Sequence, residues 1–183
     1  MIIGITGAFG SGKSTAAGFF VSQGFTQITL SSFLEEEAGK RGVKEITRTI
    51  LQDIGNEWRE KFGKEVLAKK ALEYIRSHEI QKAVVDGIRN VGEIEFLRLE
   101  DDFILLGVLA NRKTRFSRLS RVKRRETMTW KLFENLDYRD LGIKEKDTGL
   151  QVGLCIAVAD IFITNNKARS VLFDTLQTTL QTL

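Results

Sequence analysis

Gly4-Ile5-Thr6-Gly7-Ala8-Phe9-Gly10-Ser11-Gly12-Lys13-Ser14-Thr15 decides the fold, because Gly7 to Ser14 satisfies every fixed position of G-x-x-x-x-G-K-[ST], the phosphate-binding loop. A short run rich in β-branched residues, Met1 to Ile5, precedes it, and Ser14 to Val21 follows with small and apolar residues at helical spacing. Strand, loop and helix are the context the motif requires. Gly7, Gly10 and Gly12 let backbone N–H groups turn toward phosphate oxygens, and the helix N-terminus adds its dipole. Lys13 is expected to neutralise the β- and γ-phosphates and Ser14 to ligate Mg²⁺. Gly7, Ala8, Phe9, Gly10, Ser11, Gly12, Lys13, Ser14 and Thr15 are therefore the expected ATP-binding set. The alternative is a plain glycine-rich turn.

The 183 residues allow one domain with a sizeable core and are too few for two ordinary ones. With 42% hydrophobic and 28% charged residues the composition is globular, and a formal net charge of +4 suits an anionic partner. The single cysteine, Cys155, excludes an intramolecular disulfide. The single histidine, His78, sits in a polar stretch near a helix end, so neither a zinc cluster nor a Ser-His-Asp triad is expected. The start of the chain lacks the basic region and cleavage site of a signal peptide, and no apolar run is long enough to span a bilayer. A cytoplasmic location without membrane contact is the expectation.

Beyond the loop helix, Gly24 to Leu30 reads as a turn and short strand, Ser31-Ser32 as an N-cap pair for a helix starting near Phe33, and Gly39 to Gly42 as a loop. Lys44 to Phe62 is a strongly patterned helix. Ile46, Ile50, Leu51, Ile54, Trp58 and Phe62 share one half of its wheel, and Arg48, Gln52, Asn56 and Arg59 gather opposite. That polar half is either solvated or the wall of a cleft for an anionic group. A helix over Lys64 to Ser77 turns Leu67, Ala71 and Ile75 inward, and Lys82 to Asp86 is a buried strand ending in an acid. Asp86 there would act on Mg²⁺ or its water shell; the alternative is a helix-capping aspartate.

Glu93 to Leu99 reads as the next helix and Phe103 to Leu109 as a buried strand. Eight Lys or Arg follow between Arg112 and Arg125 without an acid among them. On a helix, Arg115, Arg118, Arg121 and Arg125 fall within about a third of the circumference, which suits an anion site better than a solvated charge run. Only Phe116 interleaves with this stripe, so nucleic-acid stacking is poorly supported. Met128 to Asp140, Gly149 to Val158 and Lys167 to Thr182 read as helices, with a last strand over Asp160 to Thr164. Five short strands separated by helices imply an α/β three-layer sandwich around a five-stranded parallel sheet.

Three segments resemble the P-loop nucleoside monophosphate kinase superfamily, in its dephospho-CoA kinase-like and archaeal adenylate kinase-related branch. Gly4 through Thr15 is similar to the opening of dephospho-CoA kinases, and Ala159 to Asn165 fits the A-D-x-x-I-x-N run near their C-terminus. Asp86-Gly87-Ile88-Arg89-Asn90 resembles the Asp-Gly segment of adenylate kinases that brings an arginine to the substrate phosphate. The resemblance implies ATP and Mg²⁺ as cofactors, with Ser14 and Asp86 at the metal. It further implies an arginine lid over about 111–140, with Arg118 and Arg121 first and Arg115 and Arg125 next, and Asn165 near ATP. Lys13, Asp86, Arg118 and Arg121 form the implied catalytic set, and Ser31, Arg48, Gln52, Asn56, Arg59 and Arg89 the acceptor-binding set, in a helical region over about 31–78.

Where dephospho-CoA kinases carry Asp-x-Asp after the second strand, this chain has Leu30-Ser31-Ser32-Phe33. A monophosphate acceptor, already ionised near neutral pH, needs no strong base, so the expectation is a kinase acting on a nucleoside or deoxynucleoside monophosphate. The alternatives are hydroxyl phosphorylation of the dephospho-CoA kinase kind and a nucleic-acid-stimulated ATPase. A GTPase switch would carry Asn-Lys-x-Asp, whereas Asn166-Lys167-Ala168-Arg169 lacks the aspartate.

Overall fold

The computed structural model describes residues 1–121 and 127–183. Its centre is a parallel sheet in the order β2-β3-β1-β4-β5, made of Ile2–Thr6 (β1), Thr26–Thr29 (β2), Ala83–Asp86 (β3), Phe103–Leu109 (β4) and Ile161–Thr164 (β5). Alternation along each strand divides the core into two layers, because successive side chains point to opposite faces. Ile2, Ala83, Val85, Phe103 and Leu105 face one side, and Ile3, Ile5, Val84, Leu106 and Val108 the other. Gly4, on the first of these faces, has no room for a side chain: a Cβ there would lie 2.7 Å from Ile88 and from the Phe103 ring.

Helices Lys13–Ser22 (α1) and Arg169–Thr182 (α9) cover the second face through Ala16, Ala17, Phe20, Leu172 and Leu176. The first face is covered by Leu30–Lys40 (α2), Arg48–Phe62 (α3), Val66–Ser77 (α4), Val91–Leu97 (α5) and the short Val152–Ala157 (α8), which buries Cys155. Arg112–Arg121 (α6) and Trp130–Leu141 (α7) follow β4. The strand order reverses around β1, whose carboxyl end carries the glycine-rich loop, so the loop sits at the crevice where open α/β sheets bind ligands.

Several local expectations are corrected. Helix α2 begins at Leu30 with Thr29 as its N-cap, so Ser31 and Ser32 lie inside its first turn, and it extends over the first two residues of the expected loop to Lys40, leaving Arg41 and Gly42 as the turn. The third helix begins at Arg48, where the Thr47 side chain accepts from the Ile50 N–H at 3.3 Å; residues 44–47 precede it without helical pairing. Phe62, which shares the apolar half of the wheel, is 52% exposed: it is the last residue of α3, before the C-cap Gly63, and its ring packs edge-on against Trp58. Arg125 lies outside the described residues. Among the described residues no helix is long and apolar enough to cross a membrane.

Candidate functional site

Helix α1 starts at Lys13 with Gly12 as its N-cap at φ 101°, a conformation glycine adopts without penalty. A Cβ on Gly12 would lie 2.2 Å from Nδ2 of Asn165, which donates to the Ser11 carbonyl at 2.8 Å. The end of β5 thus seals the underside of the loop. The Lys13 ammonium donates to the carbonyls of Gly7 (2.6 Å) and Ala8 (3.2 Å), curling back over the loop it follows. Burial lowers its pKa to about 8, against the pull of Asp140 and Asp86. Of the charged groups acting on it, Asp140 is the strongest.

Ser14 Oγ donates to Asp86 Oδ2 at 3.2 Å, so the first turn of α1 meets the end of β3 as the two sequence motifs require. The other Asp86 oxygen is buried without a hydrogen-bond partner among the described residues. Burial raises the Asp86 pKa despite Lys13 and Ser14. A hydroxyl beside a desolvated carboxylate lacking a full set of donors is a donor set that suits a hard divalent cation completed by phosphate oxygens and water. No cluster of three or more His, Cys, Asp or Glu ligands occurs among the described residues.

Opposite this corner lies a cleft between α2, α3 and the β3–α5 turn, lined by Ser31, Arg48, Gln52, Arg59 and Arg89 between walls that include Leu34 and Leu150. Of the polar half of α3, Gln52 and Arg59 are buried and Arg48 is half-buried, so these three face inward. Arg48 and Arg89 converge on Oδ1 of Asp140, at 2.8 and 3.2 Å, and the Arg48 guanidinium lies 4.0 Å above the Phe9 ring. Asp140 is fully buried. Burial alone would raise its pKa, but Arg48, Arg89 and Lys13 together hold it below the usual carboxylate range. Its second oxygen has no hydrogen-bond partner among the described residues.

Several expected residues are already engaged with other protein groups. Arg59 is committed to the buried Glu93, with Nε at 3.1 Å and Nη2 at 2.9 Å from Oε1, while Glu93 Oε2 accepts from the backbone N–H groups of Arg89 and Asn90. Arg59 thus holds the turn that carries Arg89, rather than offering its fork to the cleft. Asn56 donates to Glu145 at 2.7 Å. Arg115 is buried, pairs through both terminal nitrogens with Asp137, and donates to the carbonyls of Phe9 (2.9 Å) and Ala110 (3.2 Å). Four of its five donors are engaged with protein, so it clamps the loop. Arg118 reaches the Ser11 carbonyl (3.4 Å) and Asn165 Oδ1 (3.2 Å), and Arg121 is exposed at the end of α6.

Asp137 and Asp140 were not expected in the site. Their spacing of three on α7 places both on one face, and two acids on the inner face of a helix following an arginine-rich one are the signal that marks them.

A phosphate-binding loop at the switch point of a five-stranded parallel sheet, with helices on both faces, makes this a P-loop kinase-like α/β fold. The chain belongs to the UPF0200 family. It is 32% identical over 175 residues to a UPF0200 protein of Thermococcus kodakarensis, covering 92% of this chain and 90% of the relative. To a UPF0200 protein of Methanocaldococcus jannaschii it is 30% identical over 171 residues, covering 92% and 83%. Among solved structures, the shikimate kinase from Acinetobacter baumannii in complex with shikimate aligns at a TM-score of 0.61 and 19% identity, covering 98% of this chain and 90% of that one. The shikimate kinase from Aquifex aeolicus aligns at 0.53 and 16%, covering 99% and 96%. No family model matches the chain.

Proposed function

We propose that this protein is an ATP-dependent phosphotransferase that moves the γ-phosphoryl group to a small nucleotide-like acceptor, foremost a nucleoside or deoxynucleoside monophosphate. The observation that carries this reading is the continuity of charge from Lys13 and Asp86, through Asp140, to Arg48 and Arg89 in the adjoining cleft. Donor and acceptor held at the two ends of that row would meet in line. An acceptor phosphate oxygen attacks the γ-phosphorus, the bond to the β–γ bridging oxygen breaks, and ADP leaves with the electron pair. Lys13 leaves its loop carbonyls for the phosphates, Arg118 adds charge from α6, and Arg89 fixes the acceptor through its planar fork. Mg²⁺, held by Ser14 and Asp86, would supply charge neutralisation at the β- and γ-oxygens.

Asp140 supports a second reading. Its unpartnered oxygen would accept a proton from an acceptor hydroxyl, giving a phosphomonoester rather than a phosphoanhydride. The inward engagement of Arg115 and Arg118 with the loop speaks against a nucleic-acid surface. A coupled ATPase assay over a panel of nucleoside monophosphates and dephospho-CoA, with ³¹P NMR of the product, separates these readings. Turnover stimulated by a small acceptor is expected. Turnover stimulated only by DNA or RNA, with a steep salt dependence of binding, would overturn the proposal.

A further inference from the structure

Gln52 differs from Ser31, Arg48, Arg59 and Arg89, the cleft's other polar side chains, each of which makes at least one side-chain hydrogen bond. It is 2% exposed, it lines the cleft, and neither Oε1 nor Nε2 has a hydrogen-bond partner among the described residues. Its polar neighbours are engaged elsewhere: Ser31 donates to Glu35, Arg59 to Glu93, and Arg89 to Asp140. Leu30, Leu34, Leu51, Leu67 and Leu150 supply apolar surface around it. A buried amide normally finds partners, because leaving one unpaired costs stability. An unpaired amide in a leucine-walled cleft is therefore a demand for a ligand. The demand has a definite form: one donor and one acceptor side by side, on something flat and apolar enough to sit among leucines.

We infer that Gln52 reads the base of the acceptor, pairing its amide with the adjacent donor and acceptor on one edge of a nucleobase. The inference rests on the phosphotransferase reading and adds to it the feature by which the acceptor is chosen. Arg89, on the β3–α5 turn, would take the phosphate, while Gln52, one turn along α3 from Arg48, would take the base. The amide can turn over to present either end first, so any base edge with one N–H and one lone pair fits. Guanine offers such an edge at N1–H and O6, whereas its two-donor edge, N1–H and N2–H, calls instead for a carboxylate.

The test uses AMP, CMP, UMP and GMP together with ribose 5-phosphate, which carries the phosphate and sugar but no base. Binding is measured by calorimetry, independently of transfer, and kcat/KM by the coupled assay. Wild-type protein is expected to bind one of the monophosphates with one-donor, one-acceptor edges about 100-fold more tightly than ribose 5-phosphate. Gln52→Leu should reduce that ratio to below about tenfold while raising the melting temperature by a few degrees, because an unpaired buried amide gives way to an apolar side chain. Gln52→Glu should move the preference toward GMP. A structural glutamine predicts the opposite pattern: a lower melting temperature in Gln52→Leu and unchanged discrimination. That pattern, or wild-type protein that binds ribose 5-phosphate as well as any nucleotide, overturns the inference. Selective binding without any ATP-dependent transfer would leave the base-reading role standing and sink the phosphotransferase reading.

Discussion

Replacing Arg59 with alanine tests whether that side chain holds the acceptor turn or touches the acceptor. The two partners are 2% and 0% exposed, and the Glu93 carboxylate receives two donors from Arg59 and two from the backbone at Arg89 and Asn90. Arg59→Ala leaves that carboxylate buried with the backbone donors alone. Removing one partner of a buried ion pair costs about 3–5 kcal/mol. At about 2–4 °C per kcal/mol for a chain of this length, the melting temperature should fall by roughly 6–20 °C. Adding Glu93→Gln removes the stranded charge, so the double variant should lose clearly less than the sum of the single ones. Thermal unfolding followed by circular dichroism, over the full double-mutant cycle, reads both quantities. Because Glu93 also caps α5 beneath Arg89, the acceptor KM should rise while ATP affinity stays within about threefold. A variant that melts within about 2 °C of the wild type yet loses acceptor affinity would refute the structural role and restore Arg59 as a ligand contact.

Lys13→Ala should lower kcat by at least about 100-fold with far-UV and near-UV spectra unchanged, since the ammonium reaches only loop carbonyls and packs nothing; near-normal turnover would remove the loop from the reaction. Burial puts the Lys13 amine at about 8 in the free protein, so ATP affinity should be full below that pH and fall as pH rises through it, with proton uptake on binding above it; calorimetry in buffers of different ionisation enthalpy measures both. The sign for folding is the reverse: between about 8 and the ordinary 10.5 the unfolded chain holds the extra proton, so this group makes stability rise with pH across that window. Arg118→Ala should cut kcat by about 100-fold with ATP affinity nearly kept, whereas Arg121→Ala, at an exposed position, should change it less than about threefold; stopped-flow turnover and ATP titration of each variant compare them.

The sheet and the phosphate loop were legible because their signals are local. Four apolar runs at strand length, the turn-and-strand stretch around Ile28 and one glycine-rich motif in its strand-loop-helix setting depend on neighbours a few residues away. The same locality divides α3 into an apolar and a polar half, but leaves open whether Arg48, Gln52 and Arg59 meet solvent or a cleft. What the sequence hid is pairing over distance. Arg59 meets Glu93, and Arg115 meets Asp137, across separations of 34 and 22 residues, so arginines that looked available to an anion are already neutralised. Asp140 joins Arg48 across 92 residues. Where helix starts were misplaced, at Leu30 and Arg48, Thr29 took the capping position expected of Ser31-Ser32, and Thr47 capped a helix whose pattern had pointed to a start at Lys44.

Helix α7 presents Asp137 and Asp140 one turn apart on a single face, and each acid grips a different half of the site. Asp137 holds the arginine that pins the Phe9 carbonyl, and Asp140 holds the two arginines of the cleft. A helix fastened at two such points would act as a rocker arm, loading one grip whenever it tilted away from the other. If nucleotide fills the loop and acceptor fills the cleft, as proposed, both would press on the same lever, and any change one ligand makes in the affinity for the other would be returned by an equal factor.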